Sequence, residues 1–302
     1  MRIFRLIILI ILLLSLTIGF SACAEGNGTD KPALEVFPVT KKMSLNPGDV
    51  KKDSITVKNN SSNPLNITIY AAPFTDGDEN GGQDFETENK YTQIARWITI
   101  PQPSYTLSPQ EQEEFFYEIS VPDSVASGGQ YASIFVESVL SEGAIQTTSR
   151  IGVLLYATVS GDTVRSAQIN NVDIDRIIVG DDIKLGATVV NNGNIDFQAT
   201  MRMAVSSVFG KIIYDDSLIA TVFPESQKSI SLQWENIPVY GLFRLSYEIK
   251  ALDSNLEESF IVLVIPPWFL IIFVVLVGLI IAIMYIVKRH RRKFFIKNTS
   301  IL

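Results

Sequence analysis

Between residues 34 and 159 apolar and polar positions alternate at a spacing of two. The segments "LEVFPV" (34–39), "SITVK" (54–58), "LNITIYAA" (65–72), "ARWITI" (95–100), "EEFFYEISV" (113–121), "QYASIFVESV" (130–139) and "RIGVLLYATV" (150–159) are rich in β-branched and aromatic residues. Clusters of Pro, Gly, Asn and Ser separate them. This pattern predicts strands with one buried face, and a series of them without a helical stretch between predicts a β-sandwich. After the polar break "SGDTVRS" (160–166) a second series follows: "AQINNVDI", "IKLGATVV", "DFQATMRMAV", "SLIATVF", "QKSISLQW", "LFRLSYEIKAL" and "ESFIVLVI", the last ending at Ile265. The expected fold class is all-β: two tandem Ig-like β-sandwich modules, 25–160 and 161–265.

A short repeat ties the two series together. "SITVKNNSSNPLNITIY" in the first is echoed by "GATVVNNGNIDFQATM" in the second, and a Gly-Asp pair (Gly48-Asp49, Gly180-Asp181) lies eleven positions before each Asn-Asn. Asn tolerates left-handed backbone angles and bonds its own neighbouring backbone, so Asn59-Asn60 and Asn191-Asn192 are expected turn sites. The spacing predicts the same hairpin in each module.

The pattern changes at both ends. Residues 1–24, "MRIFRLIILIILLLSLTIGFSACA", combine an early Arg2 and Arg5, an apolar run and small residues near Cys23. That is the layout of a secretory signal peptide, with a run short for a membrane span. Phe20-Ser21-Ala22-Cys23 also resembles a bacterial lipobox, which would lipidate Cys23; cleavage after Ala24 is the alternative. From Trp268 to Val287 no residue is charged, which predicts a transmembrane helix over 266–287 contacting the bilayer through 268–287. The basic tail 288–302, "KRHRRKFFIKNTSIL", places the C-terminus in the cytoplasm and the modules outside, in a single-pass cell-membrane topology.

Charge narrows the partners. Eight of the 25 Lys and Arg residues lie in the two terminal segments, which hold no acidic residue, so the remainder carries 17 basic against 32 acidic side chains. A surface of that sign does not attract nucleic acid.

Chemistry is limited by two residue types. The only histidine is His290, in the basic tail, and the only cysteine is Cys23, so the modules can build no Ser-His-Asp triad, no Cys-His pair and no zinc site of His or Cys ligands. No enzyme is expected; a carboxylate pair of the glycosidase kind is the remaining catalytic alternative. The acidic loop 74–91 contains Asp76-x-Asp78-x-Asn80-Gly81, the first half of an EF-hand type calcium loop, with Thr87 where the bidentate Glu would stand. Asp76, Asp78 and Asn80 are therefore candidate Ca2+ ligands, and no other cofactor is expected.

"LNPGD", "ITVKNNSSNPLNITIYAAPFT" and "VPDSVASGGQYASI", followed by a second β module and a terminal helix with a basic tail, resemble the WxL-interacting proteins of Gram-positive cell surfaces. The resemblance spans residues 33–158 and implies a peptidoglycan-binding first module and a second module that engages another surface partner. The expected function is a non-catalytic surface adaptor that binds cell-wall peptidoglycan, a wall-associated protein, or both. The alternatives are an assembly or chaperone-like subunit of a surface complex and a wall-modifying hydrolase with paired carboxylates.

Overall fold

The computed structural model describes residues 33–77, 82–142, 145–180, 182–235 and 237–298. The expected signal peptide and Cys23 lie outside them. The first module comprises β1 (Leu34–Phe37), β2 (Thr40–Leu45), β3 (Val50–Asn59), β4 (Leu65–Pro73), β5 (Thr75–Asp76), β6 (Gln83–Asp84), β7 (Ile98–Thr99), β8 (Ser104–Leu107), β9 (Gln112–Ser120), β10 (Gly128–Glu142) and β11 (Ile145–Val159), with one helical turn α1 (Ile94–Trp97). One sheet orders β1-β3-β9-β7, the other β2-β11-β10-β4-β8. The second module comprises β12 (Ala167–Ile174), β13 (Ile177–Val179), β14 (Asp182–Asn191), β15 (Phe197–Ser207), β16 (Ile212–Val222), β17 (Gln227–Glu235), β18 (Gly241–Ala251) and β19 (Ser254–Ile265), in sheets β12-β14-β17 and β13-β19-β18-β15-β16. A helix, α2 (Pro267–Asn298), follows.

Each module is thus a two-sheet, Ig-like sandwich, as the period of two requires. Ile55, Val57, Ile67, Ile69, Ile134, Val136, Val153 and Leu155 fill the first core. Leu185, Val189, Met201, Met203, Leu245 and Ile249 are among those filling the second. In β14 the buried residues Ile183, Leu185, Ala187 and Val189 stand at every second position, so one face lines the core and the other does not.

The repeated segment is not a hairpin. β3 pairs with β1 and β9, whereas β4 pairs with β10 and β8 in the facing sheet; β14 and β15 are separated in the same way. Each Asn-Asn therefore marks a crossing from sheet to sheet. The first Asn of each pair is buried, Asn59 at 0% exposure and Asn191 at 1%. Asn59 Nδ2 donates to the carbonyls of Asn63 at 2.8 Å and Leu107 at 3.2 Å, and its Oδ1 accepts the Ser61 N–H at 2.9 Å. Asn191 Nδ2 donates to Ile195 at 2.8 Å and Val222 at 3.0 Å, and its Oδ1 accepts the Gly193 N–H at 2.8 Å. Leu107 ends β8 and Val222 ends β16, so each amide joins the strand it terminates to the opposite sheet. A hairpin offers no such second sheet, which is why the amides are buried and not at an exposed tip.

Two other segments depart from expectation. "ARWITI" forms α1 and the two-residue β7, because the buried Gln130 side chain accepts the Ile94 N–H at 3.2 Å and donates to the Lys90 carbonyl at 2.8 Å, fixing the turn. Ile94 is buried, and Trp97 keeps its expected packing role against the core. "LEVFPV" forms a strand only over its first four residues, β1; Pro38, which has no N–H to give a ladder, separates it from β2, which begins at Thr40 in the other sheet.

The parallel pairing of β2 with β11 covers only residues 154–159 of β11, whereas β10 pairs along all of it. Among the described residues no strand pairs with that edge of β11 beside 145–153, which leaves an unpaired lane. The second module repeats this arrangement, with β13 beside residues 263–265 of β19.

Among the described residues α2 is the one helix long and apolar enough to cross a membrane, by length and composition, with the stretch Pro267–Tyr285 wholly unburied.

Candidate functional site

The outward face of β4, β10 and β11 is covered by residues 74–77 and 82–93, with Phe74 and Phe85 against it. Phe74 stacks on Phe85 with centroids 5.7 Å apart, and Phe85 and Phe135 of β10 meet at near right angles with centroids 4.9 Å apart. Residue 152, directly across from Phe135 on β11, is glycine, and a Cβ there would come within 2.8 Å of the ring and 2.6 Å of Ser133 Oγ. The Arg150 guanidinium sits over the same ring, 4.6 Å from its centre, a cation–π contact. Tyr70 donates from its hydroxyl to Glu137 at 3.1 Å.

A cavity of about 820 Å³ opens here, with Tyr70, Asp84, Phe85, Glu86, Phe135 and Arg150 around it. It lies next to the empty lane of β11, since Arg150 belongs to both. The Leu154 N–H donates to the Val39 carbonyl at 3.0 Å and so faces the lane. Backbone groups alternate sides along a strand, which turns those of Gly152, Arg150 and Thr148 into the lane as well. Val39, 69% exposed, stands at its closed end. The corresponding stretch of β19 carries the exposed Glu257 and Glu258, charges of the kind that discourage edge pairing. Thr148, Ser149 and Arg150 offer no such repulsion to an acidic or neutral strand.

Hydrolysis by paired carboxylates needs one acid with a raised pKa. Asp84 is the opposite case: hydrogen bonds from Thr87, foremost, and from the Glu86 N–H hold its carboxyl below the usual range. It is an ionised turn-former whose Oδ1 accepts the Glu86 and Thr87 N–H groups at 2.7 and 3.1 Å.

The junction of the modules borders this site. Phe74, Tyr131 and Phe223 form a small buried cluster, with Tyr131 and Phe223 edge to face at 4.7 Å. The Tyr131 hydroxyl donates to Asp196 Oδ1 at 2.9 Å. Burial, then the charge of Asp196 and this bond, push the hydroxyl far up, so it stays a donor. Gly128 and Gly129 permit the approach. The Gly129 N–H donates to the Asn194 carbonyl at 2.8 Å, and a Cβ on Gly128, whose φ is +124°, would lie 2.5 Å from that oxygen.

Of the candidate calcium ligands, Asp76 is ion-paired with Lys228 of the second module, both side chains being largely buried. Asp78 and Asn80 lie outside the described residues. Among the described residues no group of three or more His, Cys, Asp or Glu side chains is gathered as a metal site. Nothing in the sequence gathers Arg150, Gly152, Tyr131 and Asp196, because alternation marks strands and leaves open which strands meet.

No protein-family profile matches the chain, and no curated protein does. Among solved structures, the class 5 fimbriae chaperone CfaA is 12% identical over 77% of this chain and 99% of its own, with a TM-score of 0.40. The YadV chaperone is 10% identical over 76% of this chain and 100% of its own, with a TM-score of 0.42. A complex from Acinetobacter baumannii, the CsuC-CsuE chaperone-tip adhesion subunit pre-assembly complex, is 12% identical over 66% of this chain and 90% of that one, with a TM-score of 0.37. Likenesses at this level decide neither function nor partner.

Proposed function

We propose that the chain is a non-catalytic, membrane-anchored docking protein whose first module takes up an extended segment of another surface protein, as an assembly or chaperone-like subunit does. The observation that carries this reading is the empty lane beside β11. A strand there would find edge N–H and C=O groups at Thr148, Arg150 and Gly152 unused by sheet pairing and an aromatic cavity beside them, the combination that strand addition uses for affinity and specificity. Anchoring comes from α2, with the modules outside and the basic end in the cytoplasm. Membership of the WxL-interacting family, with its implied surface partner, belongs to the same proposal.

A photo-crosslinking residue in place of Ser149, used in native membranes, tests this. A protein adduct that is lost when Thr148→Pro removes one N–H from the lane supports the reading, because that N–H takes no part in pairing with β10. Absence of an adduct, or an adduct undiminished by the proline, overturns it.

Peptidoglycan is the second reading, favoured by the cavity itself, whose Tyr70, Asp84, Glu86 and Arg150 offer polar groups to sugar and peptide alike. Co-sedimentation with purified peptidoglycan that is reduced by Arg150→Ala supports it. Release of soluble sugars would point instead to a hydrolase.

A further inference from the structure

The end of the second module from which α2 departs is apolar where a module end in water is ordinarily polar. The turn between β15 and β16 presents Val208 and Phe209, the latter 96% exposed, and the segment before β18 presents Val239 and Tyr240, the latter 72% exposed. Register places both at one end of the sheet: Ser207 pairs with Phe243, and Gly241 with Val264, just before Pro266 and the helix. Val208, Tyr240, Leu242 and Leu263 surround, together with Trp268 and Phe269 of α2, a concavity of about 720 Å³ that no charged side chain lines. Ile212 and Ile213 of β16 extend the apolar surface along the turn, and all four turn and strand neighbours remain exposed.

We propose that this end is a second membrane contact: Val208, Phe209, Val239 and Tyr240 enter the interfacial layer of the outer leaflet beside α2. The proposal rests on the reading of α2 as a membrane span. The patch is continuous with the first turn of that helix, so the lipid that surrounds Trp268 and Phe269 also meets the turn. Soluble surfaces rarely carry contiguous apolar patches of this kind without a partner, and aromatic residues such as Tyr240 and Trp268 favour the headgroup level. Lys211, exposed beside Phe209, is placed to reach the phosphates as its neighbour enters. With loops as well as the helix held by the bilayer, the second module cannot swing freely about Pro266. The lane of the first module is then presented at a fixed height and direction.

The test uses the full chain in lipid nanodiscs, with Cys23→Ser as background and a single labelled cysteine at each of three positions: Phe209→Cys in the turn, Val275→Cys in α2, and Glu113→Cys in the first module. Spin-labelled lipid serves as quencher. Quenching at 275 and 209, each several-fold above that at 113, is expected; Tyr240→Cys provides an independent second reporter. Quenching at 275 without quenching at 209 and 240 overturns the membrane contact and leaves the anchor standing. Absence of quenching at 275 overturns the anchor, and the contact with it.

Discussion

The Tyr131 hydroxyl donates a hydrogen bond to Asp196 Oδ1 at 2.9 Å and accepts one from the Asp196 N–H at 3.0 Å, so one side chain of the first module is bonded twice to a single residue of the second. Tyr131→Phe removes both bonds and leaves a part-buried carboxylate and N–H without that partner. The expected loss is about 1–3 kcal/mol of unfolding free energy, read from chemical denaturation. If the junction is rigid because of this contact, small-angle scattering of the variant also shows a broader distribution of inter-module distances; an unchanged profile removes that role.

The same contact contributes to the loss of stability at alkaline pH. Burial raises the Tyr131 hydroxyl above its ordinary value of 10.0, and raises Tyr156 likewise. Above about pH 10 the unfolded chain loses these protons while the folded chain keeps them, so the stability contribution is complete below about pH 10 and declines as pH rises beyond it. Tyr131→Phe should flatten the decline by up to about 1.4 kcal/mol per pH unit. Equal slopes for both proteins would exclude Tyr131 as the cause.

Asn59→Ala and Asn191→Ala each delete a buried amide that joins two sheets, and each is expected to destabilise its module by about 1–3 kcal/mol. The exposed neighbour Asn192 provides the contrast: Asn192→Ala should stay within about 0.5 kcal/mol. Comparable losses at 191 and 192 would show that the pair acts through turn propensity and not through the buried amide.

At Gly152 a methyl group meets Ser133 Oγ at 2.6 Å and Phe135 at 2.8 Å. Gly152→Ala should therefore displace Phe135 from beneath Arg150 and reshape the cavity, at about 1–3 kcal/mol for overpacking. Near-ultraviolet circular dichroism reports the aromatic displacement, and the crosslink from position 149 should weaken in parallel.

Calcium binding by the loop 76–88 requires Asp76 to exchange Lys228 for the ion. Lys228→Ala should then tighten calcium affinity, measured by titration calorimetry, because the competing cation is gone. Equal affinity in the two proteins, or no heat in either at millimolar calcium, removes Asp76 from the ligand set.

The alternation of apolar residues was enough, by itself, to predict two β-sandwich modules, and a charge-free run the apolar C-terminal helix. A period of two is a property of each strand alone, and so is the charge-free run after Pro267. The Asn-Asn echo also announced two copies of one architecture. What alternation cannot encode is which strand lies beside which. The same pattern serves a hairpin and a sheet-to-sheet crossing, and only the strand pairing distinguishes them, with Asn59 bonded to Leu107 and Asn191 to Val222 across the sheets, partners distant along the chain. Among the described residues the edge of β11 is left partly unpaired because β2 spans Thr40–Leu45 against a β11 of Ile145–Val159, a mismatch that exists only once they pair. The apolar end beside α2 is likewise invisible in sequence, where Phe209 and Tyr240 read as ordinary hydrophobic residues. Tertiary structure brought them to one face by pairing β15 and β19 on either side of β18.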